Sequence, residues 1–119
     1  MMRLFGLALV AWVLAVGCAE PRATDPIERG KQVYREKSCA TCHQVGTEGG
    51  TAGPALTHIG TGAQTRKAGT SAGDYIRKSI VDPGAYVVPG YPDAMLRGLD
   101  QGLTPQDLDD LVGYLLTLK

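Results

Sequence analysis

The chain has 119 residues, the size of one domain, and only 6% of them are aromatic. Twelve basic and twelve acidic residues give a formal net charge of zero, so the composition offers no basic excess for binding nucleic acid. Sixteen glycines and seven prolines predict long loops around a small core, and a core of that kind usually gains from a covalent or metal staple.

The N-terminal segment predicts export followed by attachment to a membrane. A short positive start precedes the apolar run of residues 4–16, which has the length of a signal-peptide core and is short for a membrane span. Small residues then precede Cys18, as at the acylated cysteine of bacterial lipoproteins. We predict a signal peptide over residues 1–17, a lipid on Cys18 and a tether over residues 18–25, of which residues 19–24 reach about 20 Å when extended. The alternative is an ordinary cleaved signal, or an uncleaved anchor, with an incidental cysteine.

The first predicted helix runs from Pro26 to about Lys37. Asp25 is a suitable N-cap, proline suits the first helical position, and Glu28 has the spacing of a capping box. Two sets of residues follow the helical period: Ile27, Gly30, Val33 and Tyr34 form one face, while Arg29, Lys31, Arg35 and Lys37 are predicted to be solvated on the others.

The helix leads into Cys39-Ala40-Thr41-Cys42-His43, the most informative motif of the chain. Two cysteines separated by two residues and followed by a histidine form the attachment signature of c-type haem. Each thiol adds to one vinyl group of the porphyrin, and the adjacent imidazole then reaches the iron. We therefore predict one covalent haem c on Cys39 and Cys42, with His43 as an axial ligand. A thiol redox centre or half of a zinc site is the alternative that a CxxC leaves open.

Two glycine-rich stretches follow the motif. Residues 46–53 predict a flexible loop, and residues 60–73, which are rich in glycine and polar side chains, predict a long surface loop. Neither stretch has the Gly-Lys-Ser/Thr ending of a phosphate-binding loop.

Two further helices are predicted in the second half of the chain. Ser71 or Thr70 is expected to cap a helix over about residues 72–81, which ends before a proline. Thr104 precedes the clearest helix, over about residues 105–118, whose early carboxylates suit the helix dipole. The predicted buried positions of these helices are Tyr75, Ile76 and Ile80 in the first and Leu108, Leu111, Val112, Leu115 and Leu118 in the second.

An iron held by His43 needs a ligand on its other face, and we predict Met95. It is the single methionine of the expected mature chain and ends a loop, residues 85–95, that two prolines and a glycine make extended and stiff. Ligation by sulfur would raise the reduction potential relative to two imidazoles. His58 as the ligand, or an open or water-bound sixth position, is the alternative.

Four residues are candidates for the surroundings of the haem. The carbonyl group of Pro54 is predicted to accept the N–H of His43 that does not face the iron, because metal-bound imidazoles almost always donate this proton. Arg66, Tyr91 and His58 are candidate partners of the propionates, and solvation of the loops is the other explanation for them.

These features together resemble class I cytochrome c, the small single-haem type, over about residues 26–119. The resemblance implies an all-α fold in which the N- and C-terminal helices cross near Gly30 and Tyr114 beside a covalently bound haem, with long loops. The matching positions are the CxxCH, Gly30 and Tyr34, Gly53-Pro54-x-Leu56, the loop ending at Met95, and Leu111-x-x-Tyr114-Leu115.

A narrower resemblance, carried by Leu56-Thr57-His58-Ile59 and Pro89-Gly90, is to cytochrome domains of bacterial respiratory complexes. These include subunit II of some terminal oxidases and small subunits of quinol-oxidising complexes; there a proline often follows the ligand methionine, where this chain has Leu96. The resemblance implies a non-enzymatic electron carrier on the extracytoplasmic or periplasmic face of a membrane. Its partners would be redox proteins of a respiratory or photosynthetic complex. The alternative function is a haem-based sensor or a peroxidase-like protein with an open sixth position.

Overall fold

A computed structural model describes residues 20–119, and this part of the chain is all-α. No strand and no helix long and apolar enough to cross a membrane occurs within it. The predicted signal peptide and Cys18 lie outside the described residues. The helices are α1 (Pro26–Glu36), α2 (Ile59–Arg66), α3 (Ala72–Val81) and α4 (Pro105–Thr117), with short 3-10 turns at Cys39–Thr41 and Pro83–Ala85.

Local capping defines the starts of three helices. The Asp25 side chain accepts hydrogen bonds from the first free N–H groups of α1, and Ser71, not Thr70, does so for α3. Thr104 and Asp107 form a reciprocal capping box at the start of α4. The predicted starts of α1, α3 and α4 are therefore confirmed.

The crossing of α1 and α4 depends on a glycine. A Cβ atom at Gly30 would lie 2.0 Å from the carbonyl oxygen of Asp110 and 2.8 Å from the Cβ atom of Tyr114, so only glycine permits this approach. The rings of Tyr34 and Tyr114 pack edge to face beside it, with centroids 5.7 Å apart. The predicted crossing near Gly30 and Tyr114 is confirmed.

The prediction of a long surface loop over residues 60–73 is wrong, because its first half belongs to α2. Ile59 and Ala63, one turn apart, are 5% and 0% exposed and join the core. Gly60 faces the C-terminal end of the chain, and its N–H donates to the carbonyl group of Leu118 at 2.8 Å. Tertiary contacts thus override a composition that is unfavourable to helices.

The basic residues of α1 are not all solvated. The guanidinium of Arg29 donates to the carboxylate of Asp110 at 2.6 Å, and the two side chains are 19% and 3% exposed. Gln106 also donates to this carboxylate, and the Lys37 ammonium donates to the carbonyl group of Gln101 at 2.8 Å. The prediction of a solvated basic face is wrong for Arg29, which ties α1 to α4.

All four helices contribute to one apolar core, and much of the inner surface of that core faces a cavity. The predicted stripe of α3 is buried as expected. The core residues are Val33, Tyr34, Ile59, Ala63, Tyr75, Ile76, Ile80, Leu111, Val112 and Leu115.

Candidate functional site

The helices and the loop before α4 line an open cavity of about 420 Å³. Its lining includes side chains from all four helices and from the loop of residues 86–96. Its charged lining residues are Lys37, Arg66 and Asp93. A mostly apolar cavity with a few placed polar groups is typical of a cofactor site.

The Cys39–His43 motif lies on the wall of this cavity. Its first residues form a tight 3-10 turn, in which the N–H groups of Cys42 and His43 both donate to the carbonyl group of Cys39. Ser38, just before the turn, has a left-handed backbone with φ of 55°, an uncommon conformation for a side-chain-bearing residue. This bend directs the chain from α1 into the cavity wall. The left-handed conformation of Ser38 strains the backbone directly before the motif.

The two thiols differ in environment. Cys39 is half-buried and Cys42 is exposed, and both line the cavity as free cysteines. Burial raises the pKa of the Cys39 thiol above its ordinary value. Reactive redox cysteines instead have a lowered pKa. The direction of the shift at Cys39 is therefore not the one typical of a reactive redox thiol.

The imidazole of His43 is held by the residues that follow the glycine loop. Its Nδ1 atom lies 2.7 Å from the carbonyl oxygen of Pro54, which is the contact that the sequence predicts. Because a carbonyl oxygen only accepts, this contact requires the proton on Nδ1, and in the neutral imidazole Nε2 then has the free lone pair that a metal ligand needs. A Cβ atom at Gly53 would lie 2.6 Å from the imidazole, so the ring packs directly against this backbone. Iron ligation by Nε2 stays a prediction.

Backbone hydrogen bonds join the glycine stretch of residues 46–53 to the motif. The N–H of Gly50 donates to the carbonyl group of Ala40, and the N–H of Gly53 donates to that of Cys42, both at 2.8 Å. A Cβ atom at Gly50 would lie only 2.1 Å from a carbonyl oxygen of the motif. The glycines predicted a flexible loop, whereas here they permit close backbone approach.

Met95 shares the cavity with the motif, although the two are far apart in the sequence. The methionine is half-buried in the loop that follows α3 and lines the same cavity as Cys39, Cys42 and His43. Its neighbour Leu96 is 71% exposed. The loop thus brings a thioether to the cavity, and ligation of iron by it stays a prediction.

The remaining candidates separate into two groups. Arg66, at the end of α2, and Tyr91 both line the cavity. His58 is exposed and is not among the lining residues, because it precedes α2 and the next residue, Ile59, takes the buried position. His58 therefore does not share the cavity lining with His43, and its contact with the propionates stays a prediction.

Three tyrosines of the site have roles that sequence reasoning did not assign. The hydroxyl of Tyr34 donates to the carbonyl group of His43 at 3.3 Å, and burial raises the pKa of Tyr34 to about 12, so it remains a donor. Tyr75 and Tyr86 pack edge to face at 5.7 Å, and both line the cavity. The helical periodicity of the sequence places Tyr34 and Tyr75 on the buried faces of their helices. Tyr86 lies in a predicted loop, where no periodic pattern indicates burial.

Comparisons with known proteins agree with this geometry. The sequence profile of the family described as cytochrome c matches residues 27–119. The chain is also 31% identical to a cytochrome c oxidase subunit 2 from Alkalihalophilus pseudofirmus, in an alignment of 114 positions that covers 92% of this chain. It spans 31% of the length of that relative, so the likeness concerns one part of the subunit.

Proposed function

The chain belongs to the cytochrome c family, and we propose that it transfers single electrons through one covalent haem c held in the cavity described above. The observation that carries the proposal is that Cys39, Cys42, His43 and Met95 line one largely apolar cavity of about 420 Å³. When bound, haem c supplies reversible one-electron chemistry at its iron. The residues present fit it: two thiols for attachment, an imidazole and a thioether.

His43 and Met95 are the proposed axial ligands. The hydrogen bond from His43 Nδ1 to Pro54 holds the imidazole in one orientation and increases the basicity of Nε2. Met95 offers a soft sulfur, which favours the reduced state and raises the reduction potential. The alternative function, a sensor or peroxidase-like protein, needs the sixth position to be open, and the presence of Met95 in the cavity favours the carrier.

The cavity walls set the environment of the redox centre. Buried side chains such as Leu111 and Leu115 exclude water, and burial in an apolar shell is one of the means by which proteins tune the potential. Arg66 and Tyr91 are the proposed polar partners of the propionates, because both line the cavity. Each would offer a hydrogen-bond donor to a carboxylate.

We also propose that the domain works next to a membrane. The support is the signal-peptide pattern of residues 1–17, the small residues before Cys18 and the likeness to part of an oxidase subunit. An acylated Cys18 would hold residues 26–119 at the extracytoplasmic surface. The proposed partners are redox proteins of a respiratory or photosynthetic complex, with this chain as a carrier or as a non-catalytic subunit.

Denaturing electrophoresis followed by a haem stain tests the covalent site. We expect the band of the full chain to stain, and C39S/C42S together to abolish the stain. C18S is the matched control, because Cys18 is not part of the CxxCH motif and its replacement should leave the stain unchanged. A full chain that never stains after expression with a cytochrome c maturation system would refute the proposed cofactor.

Fractionation tests the membrane proposal separately. We expect the wild-type holoprotein to sediment with membranes and C18S to move to the soluble fraction with an unchanged visible spectrum. After gentle solubilisation, migration with a larger haem-containing assembly supports the subunit role, and migration alone supports the tethered carrier. A wild-type protein that is soluble after export contradicts the lipid anchor.

A further inference from the structure

Residues 20–24, which the sequence predicts to be part of a free tether, lie against the folded domain; we call them the strap. The amide of Gln32 in α1 bonds to the strap backbone at two points. Its Nε2 atom donates to the carbonyl group of Pro21 at 3.3 Å, and its Oε1 atom accepts from the N–H of Ala23 at 3.2 Å. Gln32 is 7% exposed, so a buried polar side chain has its partners in the strap.

The strap also reaches α4 through an ion pair. The guanidinium of Arg22 contacts the carboxylate of Asp107, whose side chain is 9% exposed. This contact lowers the pKa of Asp107, to about 2, and is the largest cause of the shift. The strap is therefore bonded to both helices of the crossing, and not to α1 alone.

The order of the contacts gives the direction of the strap. Thr24 is bonded to Arg29, the middle of the strap to Gln32, and Glu20 lies 3.7 Å from Arg35. The contacting residues of the strap have decreasing residue numbers where those of α1 have increasing ones, so the strap runs antiparallel to α1. From Arg29 to Arg35 it follows about 9 Å of helix and ends near the C-terminal end of α1.

That end of α1 is the end that carries the haem motif. Lys37 and Ser38 line the cavity, and Cys39 follows directly. We propose that the strap delivers the N-terminal attachment point to the cavity end of the domain, so that a lipid bilayer faces this end and the haem lies close to it. The membrane part of this inference rests on the lipid anchor proposed above.

The strap changes what the tether does. A free tether, in which residues 19–24 extend to about 20 Å, would let the domain swing at that distance from the membrane. With the strap bonded, Cys18 lies at most about 7 Å of extended chain from Glu20. The domain is then held at short range with one end toward the bilayer.

The experiment compares the wild-type holoprotein with R22A/Q32A, which removes the contacts of Arg22 and Gln32 that hold the middle of the strap, at two residues that do not line the cavity. R77A is the matched control, because Arg77 forms an exposed ion pair with Asp109 of α4 away from the strap. Amide hydrogen exchange of the N-terminal peptide is measured on the full chain, with the visible spectrum as a check on folding. We expect the amide of Ala23 to exchange about tenfold faster in R22A/Q32A, as the loss of about one hydrogen bond implies, and at the wild-type rate in R77A. Equal exchange in wild type and R22A/Q32A overturns the strap.

The second measurement concerns the bilayer. Phosphatidylcholine vesicles carrying a headgroup fluorophore are loaded with each holoprotein, and quenching of the fluorophore by the haem reports their proximity. We expect stronger quenching for wild type and R77A than for R22A/Q32A at equal bound protein. Equal quenching overturns the proposed orientation. Mass spectrometry of Cys18 separates the two proposals, since an unacylated protein that does not bind vesicles refutes the anchor and the orientation, while hydrogen exchange still decides the strap.

Discussion

The Nδ1 atom of His43 lies 2.7 Å from the carbonyl oxygen of Pro54, and this contact joins the CxxCH motif to the end of the glycine loop. The same ring packs against Gly53, and together these two contacts fix the direction in which Nε2 of His43 points. The backbone of residues 46–54 therefore orients the imidazole of His43, the proposed axial ligand.

Replacing Met95 by alanine should remove sulfur from the iron. We expect the near-infrared charge-transfer band of the oxidised holoprotein to disappear and the reduction potential to fall by a sizeable part of the roughly 0.8 V range that axial ligands span. Optical spectra and potentiometric titration measure both. V81A is the control, because Val81 is 43% exposed and does not line the cavity, so the band should stay in place. A wild-type protein without the band would favour the open-site alternative.

Replacing Gly53 by alanine should displace the imidazole, since the added carbon would lie 2.6 Å from the Cε1 atom of His43. We expect a perturbed haem spectrum and a loss of about 1–3 kcal/mol in the free energy of unfolding, as for other overpacked sites. G62A is the control. Gly62 lies inside α2, and a Cβ atom there would have no atom within 4 Å. Because alanine favours a helix more than glycine does, G62A should raise the free energy of unfolding by about 0.5–1 kcal/mol. An unchanged spectrum in G53A would contradict the proposed role of this backbone.

Position 30 should tolerate no side chain, because a Cβ atom at Gly30 would lie 2.0 Å from the backbone oxygen of Asp110, which cannot move aside like a flexible side chain. G30A is expected to lower the free energy of unfolding by about 3 kcal/mol or to prevent folding. G113A is the matched variant in α4, where the nearest atom is 3.7 Å away at Ile27, and it should be neutral or slightly stabilising. Denaturant unfolding measures both, and equal stabilities would refute the close crossing.

Two adjacent carboxylates of α4 should differ greatly in their contribution to stability. Asp110 is 3% exposed and bonded to Arg29, whereas Asp109 is 57% exposed in its pair with Arg77. D110N is expected to cost about 3 kcal/mol, because it leaves a largely buried guanidinium without its counter-charge. D109N should cost at most about 1 kcal/mol. Similar losses in the two variants, measured by denaturant unfolding, would contradict the buried link between α1 and α4.

Acid should weaken the crossing over a defined pH range. The hydrogen bonds from Arg22 and Thr104 lower the pKa of Asp107 from 3.8 to about 2, and the one from Arg29 lowers the pKa of Asp110. A carboxyl group with a lowered pKa stabilises the fold above its unfolded-state value, so this stabilisation is complete above about pH 4 and is lost as the pH falls toward 2.

Unfolding of the holoprotein at several pH values checks this dependence. D107N should be less stable than wild type by about 1 kcal/mol at neutral pH, because the capping box is weakened. The difference should shrink between pH 4 and pH 2 as the wild-type carboxyl is protonated. A constant difference across this range would mean that Asp107 does not titrate with a lowered pKa.

Several elements were predictable because their causes are local. The starts of α1, α3 and α4 depend on Asp25, Ser71 and Thr104, whose side chains bond to N–H groups within the next three residues. The helix α2 was not predictable in this way, because its glycines and polar residues form a helix only where Ile59 and Ala63 are buried by other elements.

The sequence by itself determined the haem motif, since attachment requires two thiols and an imidazole at a short fixed spacing, and it determined the helix caps. Only the tertiary structure decided which distant residues share the cavity: Met95 and Arg66 line it, and His58 does not. It also decided that residues 20–24 are bonded along α1. The physical reason is that covalent and capping chemistry acts within a few residues, whereas cavities and the strap depend on contacts between segments far apart in the chain.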